Sequence, residues 1–210
     1  MERQLRQAVS ILKEGGVVAY PTDTVYGLGA DAFNEEAIRR IYRIKKRPLS
    51  RPLSILIADM SDLVQVADNL SEMACLLTDY FWPGGLTIVV SKKPLLPEWL
   101  TAGVNTVAVR IPDNQLARDL IRSLGSPLIG TSANLSGYPS ITSADDVRAQ
   151  IGDAVDFIID GGVCLGGAES TIVDVTGGAL VVLREGAISR DAIAKVTGFS
   201  PGAEGDSMGT

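Results

Sequence analysis

Residues 106–134, TVAVRIPDNQLARDLIRSLGSPLIGTSAN, decide the predicted fold. Residues 106–111 alternate in the manner of a strand, and residues 116–124 carry the apolar spacing of a helix that is capped near Asp113 or Asn114. The short apolar run that follows predicts a buried strand ending in a polar turn. A strand, a helix and a second strand in direct succession are typical of an α/β protein.

The rest of the chain extends this pattern on both sides. Further strands are predicted at 17–20, 54–58, 86–90, 155–159, 171–175 and 180–183, and further helices from about Leu5, Asn34, Ser61, Ser71, Ser143 and Ser189. Some of these strands alternate with helices, whereas others follow one another directly. The sequence therefore predicts a single-domain α/β fold whose sheet is not purely parallel.

The composition narrows the class of protein. A chain of 210 residues, 46% of them apolar and 21% charged, suits one packed domain that needs no disulfide or structural metal. The two cysteines, Cys75 and Cys164, are isolated, and no apolar run approaches the ~18 residues of a membrane span. The polar N-terminus does not resemble a signal peptide. We therefore expect a cytoplasmic protein with reduced thiols and no membrane association.

The charge of the chain is unevenly distributed. The net charge of −6 is unlike that of a typical nucleic-acid-binding protein. Residues 39–51 nevertheless carry a basic run made of Arg39, Arg40, Arg43, Lys45, Lys46, Arg47 and Arg51. Such a run predicts a local anion site. It is also typical of a solvated helix end whose cations complement the helix dipole.

Two polar clusters suit an anionic ligand. In the first, Lys45 offers a point charge and Arg47 a bidentate fork, just before Pro48. The second, TSANLSG at 131–137, offers hydroxyls, an amide and turn backbone. The chain has no histidine, so a hydrolase with a histidine triad is excluded. The side chain that most often binds metals in proteins is also absent. Catalysis must come mainly from positioning and charge.

Three other segments could contribute to a site. YPTDTVYGLG, at 20–29, matches neither the Walker A loop nor the dinucleotide fingerprint, and it is also typical of a simple turn after a strand. Arg110 ends an apolar strand and therefore needs an anionic partner, either structural or a ligand. Arg184 precedes Glu185, and a surface pair between them is the simplest interpretation.

In this order the segments resemble the YrdC-type family of L-threonylcarbamoyladenylate synthases, in the short form that consists of the catalytic domain alone. The matching stretches are Pro21–Gly29, Lys45–Pro48, Thr106–Arg110, Ser132–Gly137, Ser170–Asp174 and Arg184–Gly186. The resemblance implies a twisted mixed sheet that is flanked by helices and bears a deep cationic groove. It implies a catalytic domain at residues 1–198, and we expect 199–210 to form a flexible tail.

The resemblance also implies a reaction. L-Threonine, bicarbonate and ATP, the last with Mg²⁺, would give threonylcarbamoyl-AMP and pyrophosphate. A partner transferase complex would then pass the threonylcarbamoyl group to the adenosine beside the anticodon of certain tRNAs. Direct tRNA binding by the chain is a further possibility.

Motif matching assigns roles to individual residues. The implied catalytic residues are Lys45, Arg47, Ser132 and Asn134. Those implied around the threonine are Thr24, Arg110, the Gly130 backbone and Ser170. Those implied around the nucleotide are Arg47, Arg51, Thr106, Ser132, Ser140 and Arg184, and Ser170 is matched there as well. The protein itself is expected to supply no metal ligand.

Two positions depart from the family pattern. Many members have a neutral or asparagine-like residue in place of Arg51 and a histidine in place of Leu56, so we expect the fine specificity to differ. Two other functions stay open on sequence grounds: a divergent paralogue with another substrate, and a non-enzymatic RNA-binding protein. Threonine-dependent ATP consumption without RNA would separate the synthase from the RNA-binding protein.

Overall fold

The computed structural model describes residues 1–68 and 70–198. Capping side chains begin several helices where the sequence predicts them, since Asn34, Asn114 and Ser143 each accept a hydrogen bond from the amide three residues further on. The α-helices are α1 (Glu2–Lys13), α2 (Glu35–Lys45), α3 (Glu72–Phe81), α4 (Glu98–Thr101), α5 (Gln115–Leu124), α6 (Ala144–Ile151) and α7 (Arg190–Thr197), and 3₁₀ turns lie at Met60–Gln65 and Gly152–Ala154.

The strands form two mixed sheets. They are β1 (Val18–Tyr20), β2 (Gly27–Gly29), β3 (Ser54–Leu56), β4 (Leu86–Ser91), β5 (Thr106–Arg110), β6 (Leu128–Ile129), β7 (Thr131–Ser132), β8 (Phe157–Ile158), β9 (Thr171–Asp174) and β10 (Val181–Arg184). One sheet has the order β7-β2-β1-β8 and the other β10-β9-β4-β5-β3-β6, each with parallel and antiparallel neighbours. The predicted α/β fold with mixed strand pairing is confirmed, and its strands divide between two hydrogen-bonded sheets.

The chain crosses from one sheet to the other at Gly130. This residue separates β6 from β7, and its amide donates to the Ser54 carbonyl at 2.8 Å. A Cβ atom at Gly130 would lie 2.5 Å from Cγ of Leu56, closer than packed side chains allow. Glycine is therefore required where the two sheets approach each other.

Two of the short strands lie where the sequence predicts turns. Strands β2 and β7 pair with each other in antiparallel register, Gly27 opposite Ser132 and Leu28 opposite Thr131. A Cβ atom at Gly27 would lie 2.8 Å from the buried ring of Tyr20. The glycine that weakens the strand pattern is thus the residue that lets an aromatic ring pack flat against β2.

The core consists of two clusters of buried apolar side chains. Helices α1 and α5 pack side by side over β1 and β6 through the apolar cluster Ala8, Leu12, Val18, Tyr20, Leu56, Ala58, Ala117, Leu120, Ile121, Leu124, Leu128 and Ile159. In β5, Val107 and Val109 face the main core, whereas Thr106, Ala108 and Arg110 face a cavity. This division confirms the alternation predicted for that strand.

The predicted tail at 199–210 lies outside the described residues, so it stays a prediction, as does the domain boundary at 198. In the described parts of the chain, no helix is long and apolar enough to cross a membrane.

Candidate active site

A cavity of about 740 Å³ opens where the two sheets meet. Its walls come from the segment between β1 and β2, the end of α2, strands β3 and β5, the turn after β7, and residues 169–184. The cationic side chains among its lining residues are Lys45, Arg47, Arg51, Arg110 and Arg184, and the acidic ones are Glu169 and Asp174. The lining is therefore predominantly positive and suits an anionic ligand.

The end of α2 directs two cations into this cavity. The helix ends at Lys45, and Lys46 takes the left-handed backbone conformation with φ of 49°. This reversal lets Lys45 and Arg47, two residues apart, both line the cavity while Lys46 stays exposed. A helix continued through Arg47 would turn the two side chains in different directions. A left-handed cap therefore brings the two cations into one cavity.

Replacing Lys46 with glycine is expected to raise the free energy of unfolding by about 0.5–1 kcal/mol, because glycine avoids the left-handed strain at the cost of some backbone entropy. Urea unfolding measures the change. Lys46→Val is the control with the opposite expected effect. It should lower the free energy of unfolding, because a β-branched residue adopts positive φ poorly. If both variants unfolded at the wild-type urea concentration, the cap would not have this conformation in solution.

Lys45 ties the end of α2 to the turn after β7. Its ammonium donates to the carbonyl of Ser132 and, at 2.7 Å, to that of Asn134, and the residue is only 2% exposed. Burial and the nearby Arg47 guanidinium lower the pKa of Lys45 to about 8. While it is charged, an ammonium so poorly screened by water interacts strongly with a negative ligand that enters beside it.

Arg47 lies beside it and is held by backbone carbonyls. Its Nε donates to the Arg51 carbonyl at 3.1 Å and its Nη2 to the Pro52 carbonyl at 2.8 Å. Within the described part of the chain, its Nη1 makes no hydrogen bond, so this end of the fork is available to a ligand. The guanidinium is thus oriented in advance.

Asn134 lines the cavity and carries a buried acceptor without a partner among the described residues. Its amide nitrogen donates to the carbonyls of Tyr138, at 2.6 Å, and Leu135, at 3.1 Å. Its Oδ1 is buried and lacks a partner among the described residues. A buried polar atom without a partner is costly to the folded state.

Arg110, another cation of the cavity lining, has a structural partner. Its guanidinium pairs with the Asp23 carboxylate and donates to the Thr24 hydroxyl at 3.0 Å and to the Gly84 carbonyl at 2.7 Å. Burial lowers the pKa of Arg110, and the Asp23 carboxylate opposes that shift. Of the two partners left open by the sequence, the structural one is therefore present, and Arg110 still lines the cavity.

The cavity brings together most of the residues singled out from the sequence. Those that line it are Thr24, Lys45, Arg47, Arg51, Thr106, Arg110, Gly130, Ser132, Asn134, Ser170 and Arg184. Ser140 does not line it, but its hydroxyl donates to Glu169 at 2.7 Å. The simple Arg184–Glu185 pair is wrong, because Arg184 pairs with Glu169 and Glu185 pairs with Arg190.

Glu169 is a cavity residue that sequence reasoning missed. Its carboxylate accepts from Ser140 and pairs with Arg184. Burial alone would raise the pKa of Glu169, but the Ser140 hydroxyl, Arg184 and Lys45 together hold it below the ordinary value. It stands in a run of small residues, GGAEST at 166–171, where only its charge distinguishes it.

The potential metal ligands and thiols show no cluster. Among residues 1–68 and 70–198 there is no group of three or more aspartate, glutamate or cysteine side chains that could hold a metal ion. Both cysteines are free, Cys75 exposed and Cys164 buried.

Comparison with known proteins assigns the chain to one family. Residues 10–186 match the model of the Sua5_yciO_yrdC family, whose description is telomere recombination. The chain is 42% identical to a threonylcarbamoyl-AMP synthase of Pyrococcus abyssi over all of this chain and 62% of that protein. It is 44% identical to a threonylcarbamoyl-AMP synthase of Bacillus subtilis over 93% of this chain and 57% of that protein. The chain belongs to the Sua5/YciO/YrdC family.

Solved structures agree with this assignment. The structure of P. abyssi Sua5 complexed with L-threonine matches with a TM-score of 0.92 and 43% identity, over 94% of this chain and 58% of that one. The crystal structure of Escherichia coli YciO matches with a TM-score of 0.83 and 31% identity, over 92% of this chain and 94% of that one. The chain spans only about three fifths of the length of the two synthases above.

Proposed function

We propose that this chain is an L-threonylcarbamoyladenylate synthase, a nucleotidyltransferase that forms threonylcarbamoyl-AMP and pyrophosphate from L-threonine, bicarbonate and ATP. The names of its relatives support this activity, and so does the threonine complex of P. abyssi Sua5. One observation carries the proposal to these residues: Lys45 bonds the carbonyls of Ser132 and Asn134, so the two polar clusters of the sequence form one cavity.

The cationic end of the cavity suits the triphosphate. Attack of a carbamate oxygen on the α-phosphorus forms one P–O bond and breaks the bond to pyrophosphate, and negative charge gathers on the leaving group. Lys45 and the pre-oriented Arg47 would stabilise that charge. The residues proposed to surround the rest of the nucleotide are Arg51, Thr106, Ser132, Ser140, Ser170 and Arg184.

A second set of lining residues suits an amino acid. We assign Thr24, Arg110, the Gly130 backbone and Ser170 to L-threonine, whose carboxylate would meet the Arg110 charge. Its neutral amine adds to carbon dioxide and loses a proton, or adds to bicarbonate with loss of water, and either route yields the carbamate. Asn134, which lines the cavity, would help to orient the substrate. No histidine is needed for either step.

The remaining partners follow from the reaction. Mg²⁺ would enter with ATP, because it is commonly bound through substrate phosphates and few protein ligands. A tRNA threonylcarbamoyl transferase complex would consume the product, in the cytoplasm. The exposed arginines of α2 give little support to direct tRNA binding, since Arg39, Arg40 and Arg43 pair with Glu35, Asp156 and Glu36.

The decisive test is to incubate the protein with L-threonine, bicarbonate, ATP and Mg²⁺ and to search for threonylcarbamoyl-AMP by mass spectrometry. We expect the product without any RNA. A folded protein that binds ATP and yields no product would favour a paralogue with another substrate. A folded protein that consumes no ATP but binds tRNA would favour the RNA-binding alternative.

ATP affinity is expected to fall as the pH rises above about 8, the pKa of Lys45. Below this pH the ammonium is charged and attracts the triphosphate, and above it the charge is lost before ATP binds. The dissociation constant should rise up to about tenfold for each pH unit. Calorimetric titration without threonine measures it. Lys45→Met should bind weakly without this pH dependence, and a flat wild-type profile would refute the role of the charge.

A further inference from the structure

The carboxylate of Glu169 already occupies an anion position inside the cavity. Its Oε1 accepts from the Ser140 hydroxyl at 2.7 Å, and its Oε2 pairs with Arg184. The charge of Glu169 also acts on Lys45 and Arg47, raising the pKa of each against the effect of burial. The cations proposed to bind phosphate therefore share one carboxylate of the protein itself.

Backbone contacts hold the main chain of Glu169, and Ser140 and Arg184 hold its carboxylate. The Glu169 carbonyl accepts from the Ala187 amide at 2.8 Å, and a Cβ atom at Gly186 would lie 2.1 Å from that carbonyl oxygen. The side chain is 27% exposed, so water screens its charge only in part. Glu169 is therefore a built part of the cavity wall rather than a surface acid that can swing away.

We propose that Glu169 is a specificity-determining residue: an internal counter-anion that weakens binding of metal-free phosphate and so makes the cavity select polyphosphate that carries Mg²⁺. This inference rests on the proposed function, because it concerns the same phosphate site. A metal-free polyphosphate entering the cavity must compete with a fixed negative charge for the same cations. A polyphosphate with bound Mg²⁺ brings a positive charge that the carboxylate attracts.

The second acidic residue of the cavity provides a matched control. Asp174 also lines the cavity, but its Oδ1 accepts from the amide and hydroxyl of Thr176. Asp174→Asn removes one negative charge from the lining without altering the Ser140 and Arg184 contacts. Glu169→Gln removes one charge as well and keeps the shape of the side chain, with one accepting oxygen in place of two.

The experiment is calorimetric titration of the full chain with inorganic pyrophosphate near pH 6, far enough below the Lys45 pKa of about 8 that this ammonium stays charged even when loss of the Glu169 charge lowers that pKa. Each variant is titrated once with a chelator and once with excess Mg²⁺. Without metal, Glu169→Gln should bind pyrophosphate about tenfold more tightly than wild type, and Asp174→Asn should change the affinity less than about threefold. The preference for the metal-bound form should shrink in Glu169→Gln by about the same tenfold factor.

The possible results distinguish the counter-anion role of Glu169 from the phosphate site of the proposed function. Unchanged or weaker metal-free binding by Glu169→Gln, or an equal gain in Asp174→Asn, overturns the counter-anion role and leaves the phosphate site standing. Failure of the wild type to bind pyrophosphate under either condition overturns the phosphate site and this inference together. A thermal melt of each variant confirms that both titrations report on folded protein.

Discussion

Replacing Arg47 with alanine is expected to lower threonine-dependent pyrophosphate release by about 100- to 1000-fold, the usual effect of losing one pre-oriented electrostatic donor. The side chain is held by the Arg51 and Pro52 carbonyls and keeps one terminal nitrogen for the ligand. Its charge would act on the leaving pyrophosphate, so kcat should fall more than the affinity for ATP. A steady-state pyrophosphate assay with a separate ATP titration measures both.

Arg43 supplies the control for this variant. It lies four residues earlier in the same basic run and pairs on the surface with Glu36, with 68% and 70% of the two side chains exposed. Arg43→Ala removes the same charge and should leave turnover within about twofold of wild type, because exposed ion pairs contribute little. Equal losses in both variants would mean that Arg47 acts through overall charge, and near-normal turnover in Arg47→Ala would refute its catalytic assignment.

Replacing Arg110 with methionine is expected to lower the free energy of unfolding by about 3–5 kcal/mol, the cost of leaving one member of a buried ion pair alone. The guanidinium side chain is only 6% exposed and that of Asp23 only 18%. The variant would leave the Asp23 carboxylate, the Thr24 hydroxyl and the Gly84 carbonyl without this donor. Guanidinium chloride unfolding measures the loss.

Two further variants identify the cause of that loss. Asp23→Leu combined with Arg110→Met removes both charges, and the double variant should recover part of the stability because no carboxylate is left unpaired. Arg148→Ala breaks an exposed pair with Asp145 and should cost less than about 1 kcal/mol. A double variant as unstable as Arg110→Met alone would show that lost packing, not the stranded charge, is responsible.

Local chemistry explains why much of the fold could be predicted. Asn34, Ser143 and Ser189 cap helices through bonds to amides three residues on, and such caps depend on a few neighbouring residues. Strands β2 and β7 were predicted as turns because they consist of glycine, leucine, threonine and serine, and their pairing depends on residues about a hundred positions apart. The residues next to each strand in the sequence therefore do not indicate its partner.

The same distinction applies to the site. Lys45 and Arg47 could be proposed from spacing and charge, since both follow from one helix end. The partner of Arg110 could not, because Asp23 lies 87 residues away in the chain. Glu169 was missed for a similar reason: its partners Ser140 and Arg184 come from separate segments, and only folding brings them together.

The passage of the chain between the sheets at Gly130 means that the cavity belongs to neither sheet alone. A molecule bound there touches both, so its binding free energy is available only while both sheets are formed. By mass action, a ligand at about 100 times its dissociation constant adds about 2.7 kcal/mol to the free energy of unfolding. The supply of substrate would then also govern how long each copy of the protein survives unfolding and proteolysis.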